Sequence, residues 1–227
     1  MGGTLAVDTS IRDRLLRMDT GAVSDALDQL GLKGATFGIR PAWPCPRIAG
    51  PAVTVKAVAA GQSKPPQHIN IHAISTADPG SVLVIDNSGR TDVACMGDLQ
   101  SLAAKVRGLA GAVIDGACRD VDAVRDAEFP MFTRGVVPMT ARGRIQQEAW
   151  NVMVQIGGTQ VRPGDWIIGD GSGVVVIPQE HTEAVLAAAE DIVDREEKMA
   201  EAVRNGMSIL DVMTNFNYER MLEEERK

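Results

Sequence analysis

The stretch from Gly97 to Asp120, GDLQSLAAKVRGLAGAVIDGACRD, constrains the fold more than any other part of the chain. Leu99, Leu102, Ala103, Val106 and Ala110 fall at helical spacing on one face, and Asp98 stands just ahead of them where an N-cap belongs. The spacing predicts a helix starting at Leu99. Gly108 and Gly111 bracket its end, and Ala112-Val113-Ile114 follows as a short apolar run suited to a parallel strand covered on both faces.

A helix of about ten residues advances roughly 15 Å, and a strand of about five returns about as far. Arg119 and Asp120 therefore come back to the edge that Asp98 left. That edge carries the carboxyl ends of the strands, where open α/β sheets bind ligands. The free amides of Leu99 and Gln100 at the helix start form a site for a small anion.

Alone, an Asp ahead of a helix is a cap and an Arg-Asp pair is a surface ion pair; here they occur together. Asp98, twenty residues, then Arg119-Asp120, with Gly97 before and Leu99 after, resembles the signature of the class II pyruvate aldolases. These cleave 4-hydroxy-4-methyl-2-oxoglutarate and 4-carboxy-4-hydroxy-2-oxoadipate, and belong to a wider family named after the regulator of ribonuclease activity A. Further segments resemble that family in the same order: Ala22 to Leu27, Ile48 to Val55, Phe132 to Gly135, Val161 to Asp165 and Gly173 to Pro178. The resemblance covers roughly residues 18 to 195.

The rest of the chain reads as α/β. Two short helices from Ser10 carry Ile11, Leu15 and Met18, then Val23, Ala26, Leu27 and Leu30, and Gly31 closes them. Pro41, Pro44 and Pro46 bar a long helix between Lys33 and Pro46. Strands are expected at Ala52–Val58, Ser81–Asp86, Met131–Thr133, Val152–Ile156, Trp166–Gly169 and Val174–Ile177, and a helix from Asp120 to about Glu128. Asn87 to Met96 reads as a loop overhanging the anion site, with Arg90 able to reach a carboxylated substrate. The glycines from Gly169 to Gly173 lead into a strand, which makes them a hairpin turn and not a dinucleotide cradle. An amphipathic helix from Glu180 to about Arg204 and a last helix from Ser208 towards Lys227 form a C-terminal helical segment, 182–227. Helices alternating with strands, then strands in succession, predict one α/β domain over 1–227 with a mixed sheet and flanking helices. The resemblance makes that a swivelling β/β/α fold assembled as a homotrimer or homohexamer with active sites between subunits.

Composition narrows the function. A net charge of −7 and a pI near 5.0 offer no concentrated basic face for nucleic acid. No apolar run of membrane-spanning length occurs, and three cysteines without a CxxC pair suggest a reduced, cytoplasmic protein with neither disulfides nor zinc. His68 and His72 stand at i, i+4, but no acid lies between them as a zinc-protease motif needs, so packing explains them better. Cys118, beside Arg119, reads as a small packing residue.

The resemblance then implies a chemistry: cleavage of a 4-hydroxy-2-oxo acid to pyruvate and a second 2-oxo acid, with oxaloacetate decarboxylation as a side activity through the same enolate. Negative charge developing on the keto oxygen calls for a cation and a fixed donor. Asp120 is the candidate direct ligand of a divalent metal, magnesium or manganese, which take oxygen ligands. Arg119 is the donor to the enolate oxygen, and Asp98 holds a metal-bound water for proton transfer. Gly97, Leu99, Gln100 and Arg119 bind the substrate. The alternative is a non-catalytic regulator that binds and inhibits a ribonuclease, as the family's name-giving member does. That member keeps the arginine but lacks the acid after it, whereas Asp120 is present here.

Overall fold

The computed structural model describes residues 7–61 and 68–217. Helices α1 (Thr9–Leu15) and α2 (Thr20–Gln29) come first, then strands β1 (Arg40–Pro41) and β2 (Ile48–Ala59), helix α3 (Ile71–Thr76) and strand β3 (Val82–Met96). Helix α4 (Asp98–Val106), strand β4 (Gly111–Cys118), helix α5 (Val121–Asp126) and strand β5 (Met131–Val136) follow. Short strands β6 (Ile145–Trp150), β7 (Val154–Ile156), β8 (Thr159–Val161), β9 (Trp166–Asp170) and β10 (Gly173–Ile177) lead to helices α6 (Thr182–Arg204) and α7 (Ile209–Asn215).

Eight strands form a mixed sheet in the order β1-β5-β4-β3-β2-β9-β10, with β6 also paired to β2, while β7 and β8 pair with each other. The neighbours among β2, β3, β4 and β5 are parallel, and β1, β6, β9 and β10 join antiparallel. Every residue of β4 is buried, the condition that lets a parallel strand be apolar on both sides. One face carries Leu83, Ile85 and Ile114 against α3, α4 and α5 through Ala73, Ala104 and Val124. The other carries Val84, Val113 and Phe132 against Ile156, Ile167 and Val174. A third cluster packs α1, α2 and α6 on β9 and β10 through Leu15, Leu27, Ile168, Ile177 and Leu186. Arg14 ties α1 to α6, reaching Glu190 at 2.7 Å and Glu183 at 2.8 Å. None of the described helices is long and apolar enough to cross a membrane.

The expected α/β organisation with a mixed sheet and flanking helices is present, with local corrections. The segment 87–96 is not a loop. It continues β3, with left-handed turns at Ser88 and Gly89 and register shifts that let Arg90, Ala94 and Met96 pair with Gly116, Ala117 and Cys118. Such bulges keep a strand hydrogen-bonded where the apolar alternation lapses. The strand expected from Val152 begins at Val154, and β1, α3, β6 and β8 are additional. Each of these four is six residues or shorter, too short for a period to stand out.

Helix α4 starts one residue early, with Gly97 as its N-cap. Its buried residues are Ser101 and Ala104, whereas Leu99, Leu102 and Val106 are 75%, 51% and 81% exposed. Small side chains on the inner face let the helix lie close to the sheet, and the Ser101 hydroxyl is satisfied locally by the Gly97 carbonyl at 2.8 Å. The Gly169–Gly173 turn is the hairpin between β9 and β10. Helix α6 begins at Thr182, and α7 covers Ile209–Asn215, beyond which the expected helix leaves the described residues.

Candidate active site

Strands β3 and β4 end side by side, Met96 paired with Cys118, so the residues that follow them meet. Arg119 Nε lies 3.1 Å from Asp120 Oδ2, and the Asp98 N–H donates to the same oxygen at 3.3 Å. Asp98, Arg119 and Asp120 are thus brought together at the carboxyl edge. Gly97 completes the arrangement, because a Cβ there would overlap Asp120 Oδ2 and stand 3.0 Å from Arg119 Cγ and Nε. Asp120 itself has a left-handed backbone, φ 56°. Asp tolerates that region better than most residues, and strained backbone of this kind gathers at functional sites.

The anion site at the start of α4 is partly engaged. The Leu99 N–H donates to Asp98 Oδ1 at 2.7 Å, so an anion binding there displaces the helix's own carboxylate. Asp98 is therefore not the N-cap the sequence suggested. The Gln100 side chain is turned aside, donating to the Ile69 carbonyl at 3.1 Å and accepting from Asn70 Nδ2 at 2.9 Å. Asn70 was not legible in the sequence. It is fully buried with φ 74°, also donates to the Cys95 carbonyl at 3.0 Å, and takes Gln147 Oε1 on its backbone N–H. Asn70 Oδ1 and Gln147 Nε2 have no partner among the described residues. A left-handed Asn ahead of a short helix was the available signal.

A row of charges across four parallel strands was also missed. Lys56 pairs with Asp86 in register and by an ion pair of 2.8 Å. Asp86 is in register with Asp115, and Arg134 Nε holds Asp115. Both carboxylates are nearly enclosed, at 3% and 6% exposure. They lie on the face opposite α4, and their signal was a charged residue closing each apolar strand.

Arg90 is bound to Asp92 by two hydrogen bonds of 3.0 and 2.8 Å. His68 and His72 do not share a helical face, since α3 starts only at Ile71 after the left-handed Asn70. His72 instead stacks on Trp150 with ring centroids 4.8 Å apart. Burial pushes the Cys118 thiol up to about 11, which keeps it an inert packing residue.

Over residues 20–176 the sequence matches the RraA-like family, described as Aldolase/RraA. The chain belongs to that family. Among RraA-like relatives it is 41% identical over 174 residues to a Halalkalibacterium halodurans protein named "Putative 4-hydroxy-4-methyl-2-oxoglutarate aldolase", covering 75% of this chain and 77% of the relative. It is 29% identical to Protein DlpA of Legionella pneumophila over 93% of this chain and 34% of that protein, so it spans about a third of that relative's length. A solved structure of an uncharacterized protein from Pseudomonas syringae superposes with a TM-score of 0.83 at 34% identity, covering 92% of this chain and 99% of that one. RraAS2 of Streptomyces coelicolor, described as an unusual member of the RNase ES inhibitor RraA protein family, gives a TM-score of 0.78 at 26% identity over 86% of this chain and 98% of its own. Relatives carrying the aldolase name place a lyase within this RraA-like family, which also holds the RraA inhibitors.

Proposed function

We propose that this chain is a divalent-metal-dependent aldolase that cleaves a 4-hydroxy-2-oxo acid of the 4-hydroxy-4-methyl-2-oxoglutarate type to pyruvate and a second 2-oxo acid. The observation that carries this reading is the convergence of Asp98, Arg119 and Asp120 around one carboxylate oxygen at the carboxyl edge. Gly97 is kept bare by that contact.

The residues fit a metal of one kind. Among the described residues no three His, Cys, Asp or Glu gather to hold an ion, which argues against zinc with its three or four protein ligands. A single carboxylate suits magnesium or manganese, which bind through oxygen, magnesium in particular retaining several waters. Asp120, whose Oδ1 takes no hydrogen bond from the described residues, would hold it. When bound, the ion would supply fixed positive charge beside the substrate's developing enolate oxygen.

The protein's own groups divide the remaining work. The Leu99 and Gln100 amides at the start of α4 receive the pyruvyl carboxylate. Arg119 keeps its Nε on Asp120 and offers its terminal nitrogens to the enolate oxygen, where charge appears as the C3–C4 bond breaks. Asp98 takes up the proton that leaves the C4 hydroxyl as that carbon becomes a carbonyl, and returns it to C3 of the enolate. Oxaloacetate would lose carbon dioxide through the same enolate, which makes its decarboxylation an expected side activity.

The apolar stripe of Leu99, Leu102 and Val106 beside this site supports assembly as a homotrimer or homohexamer, since exposed apolar patches mark contact surfaces. Three free thiols, Cys45, Cys95 and Cys118, support a cytoplasmic location. The inhibitor reading is favoured by the fold it shares with RraAS2. Assaying pyruvate release from a panel of 4-hydroxy-2-oxo acids and oxaloacetate separates the two. An inhibitor turns over none of them and binds a ribonuclease with salt-sensitive affinity.

A further inference from the structure

A second concave site lies at the opposite ends of the parallel strands. β2, β3 and β4 start their parallel pairing at Ala52, Val82 and Gly111, and β3 and β4 finish beside Asp98 and Asp120. At the starting end a cleft of about 740 Å³ opens between β2, the turn into β3, the start of β9, α1 and the entry to α6. That volume is within the range of small-molecule sites, about 300–1,000 Å³. Two of its walls, from Val7 to Ile11 and from Gln179 to Ala184, lie outside residues 20–176 that match the family.

Its chemistry is the reverse of a site for oxo acids. Asp8, Asp78, Glu180 and Glu183 line it, and among the described residues no Lys, Arg or His does. Arg14 and Arg162 hold Glu183 and Glu180 from outside at 2.8 and 3.0 Å, and the Asp8 carboxylate accepts the N–H groups of Ser10 and Ile11. The Asp78 carboxylate has no ion pair or hydrogen bond from the described residues. Beneath the acids the surface is apolar, formed by Pro51, Ala52 and Trp166. Trp166 is 5% exposed. Its indole N–H has no acceptor among the described residues and keeps some exposure to solvent, and Trp166 is one of the residues that line the cleft. Indole donors this deeply set ordinarily have a partner.

We propose that this cleft binds an organic cation: an ammonium or guanidinium group on a compact apolar body that also carries an oxygen acceptor. The carboxylates neutralise the cation, the apolar floor covers the body, and Trp166 Nε1 donates to the oxygen. Anionic 2-oxo acids are repelled, so the ligand is not the substrate of the carboxyl edge.

The test is calorimetric titration of the full chain with tyramine and, separately, with 4-hydroxyphenylacetate, which has the same ring and hydroxyl but the opposite charge. Tyramine should bind saturably and 4-hydroxyphenylacetate should not. Asp78→Asn should weaken tyramine about two- to fivefold, Trp166→Phe should weaken it about fivefold while keeping the ring, and Asp98→Asn should leave it unchanged. Absence of saturable tyramine binding, equal binding of the two probes, or binding indifferent to both cleft variants overturns the proposal. Asp78→Asn alters an accessible carboxylate, so its result stands even if Trp166→Phe folds poorly. Pyruvate release plays no part in the readout, so loss of the aldolase reading leaves this test intact.

Discussion

Gly97 and Asp120 stand so close that a methyl group on Gly97 would overlap Asp120 Oδ2. The contact is between a backbone carbon at the end of β3 and the carboxylate that follows β4, so relief requires Asp120 to move. Gly97→Ala is expected to reduce pyruvate turnover about a hundredfold or more, the loss that misplacing a reacting group by about 1 Å brings. Its circular dichroism should match the parent. Turnover within a factor of two of the parent would remove Asp120 from the site.

Arg119 is expected to act in the transition state. Arg119→Lys keeps a charge but loses the fork that holds Asp120 and the enolate oxygen together. Turnover should fall about a hundred- to a thousandfold, with little change in the Michaelis constant. A rise confined to the Michaelis constant would make Arg119 a substrate clamp instead.

Removal of metal by a chelator should abolish pyruvate release, and magnesium or manganese should restore it. Asp120→Asn should lose activity that added metal does not recover. Undiminished activity after exhaustive chelation, together with an active Asp120→Asn, would sink the metal assignment.

The exposed stripe on α4 gives a test of assembly. Leu102→Glu places a charge among Leu99, Leu102 and Val106, where a contact between copies would have to desolvate it. Sedimentation should show a shift from trimer or hexamer towards monomer. A parent protein that is already monomeric would defeat the expectation.

Asp25 on α2 supplies a pH prediction. Burial first, and then repulsion from Asp28 and Asp19, push its carboxyl above the ordinary value, and burial with Asp19 and Asp25 does the same to Glu196 on α6. A raised folded pKa means that ionisation costs stability at neutral pH, and that the cost is relieved as pH falls through the raised value. Asp25→Asn should therefore melt higher than the parent near pH 7, by about 2 °C or more. The difference should vanish below about pH 4, where the carboxyl is protonated folded or unfolded. A variant that melts lower at pH 7 would mean that Asp25 accepts a stabilising partner.

The sequence by itself determined the helix-strand unit from Gly97 to Asp120, because a 3.6-residue period, a glycine stop and a continuous apolar strand are local properties of the backbone and side chains. It therefore determined that Asp98 and Arg119-Asp120 share an edge. It did not determine which face of α4 is buried. That depends on how closely neighbouring elements approach, and Ser101 and Ala104 let the helix sit nearer the sheet than Leu99, Leu102 and Val106 would. Nor could it show residues 87–96 as strand, since β4 supplies the partners for that bulged pairing. The knot around Asn70, the row from Lys56 to Arg134 and the acidic cleft joining α1 to α6 bring together residues far apart in the chain. Only packing of the finished fold places such groups side by side, because their contacts repeat no period and leave no mark on their sequence neighbours.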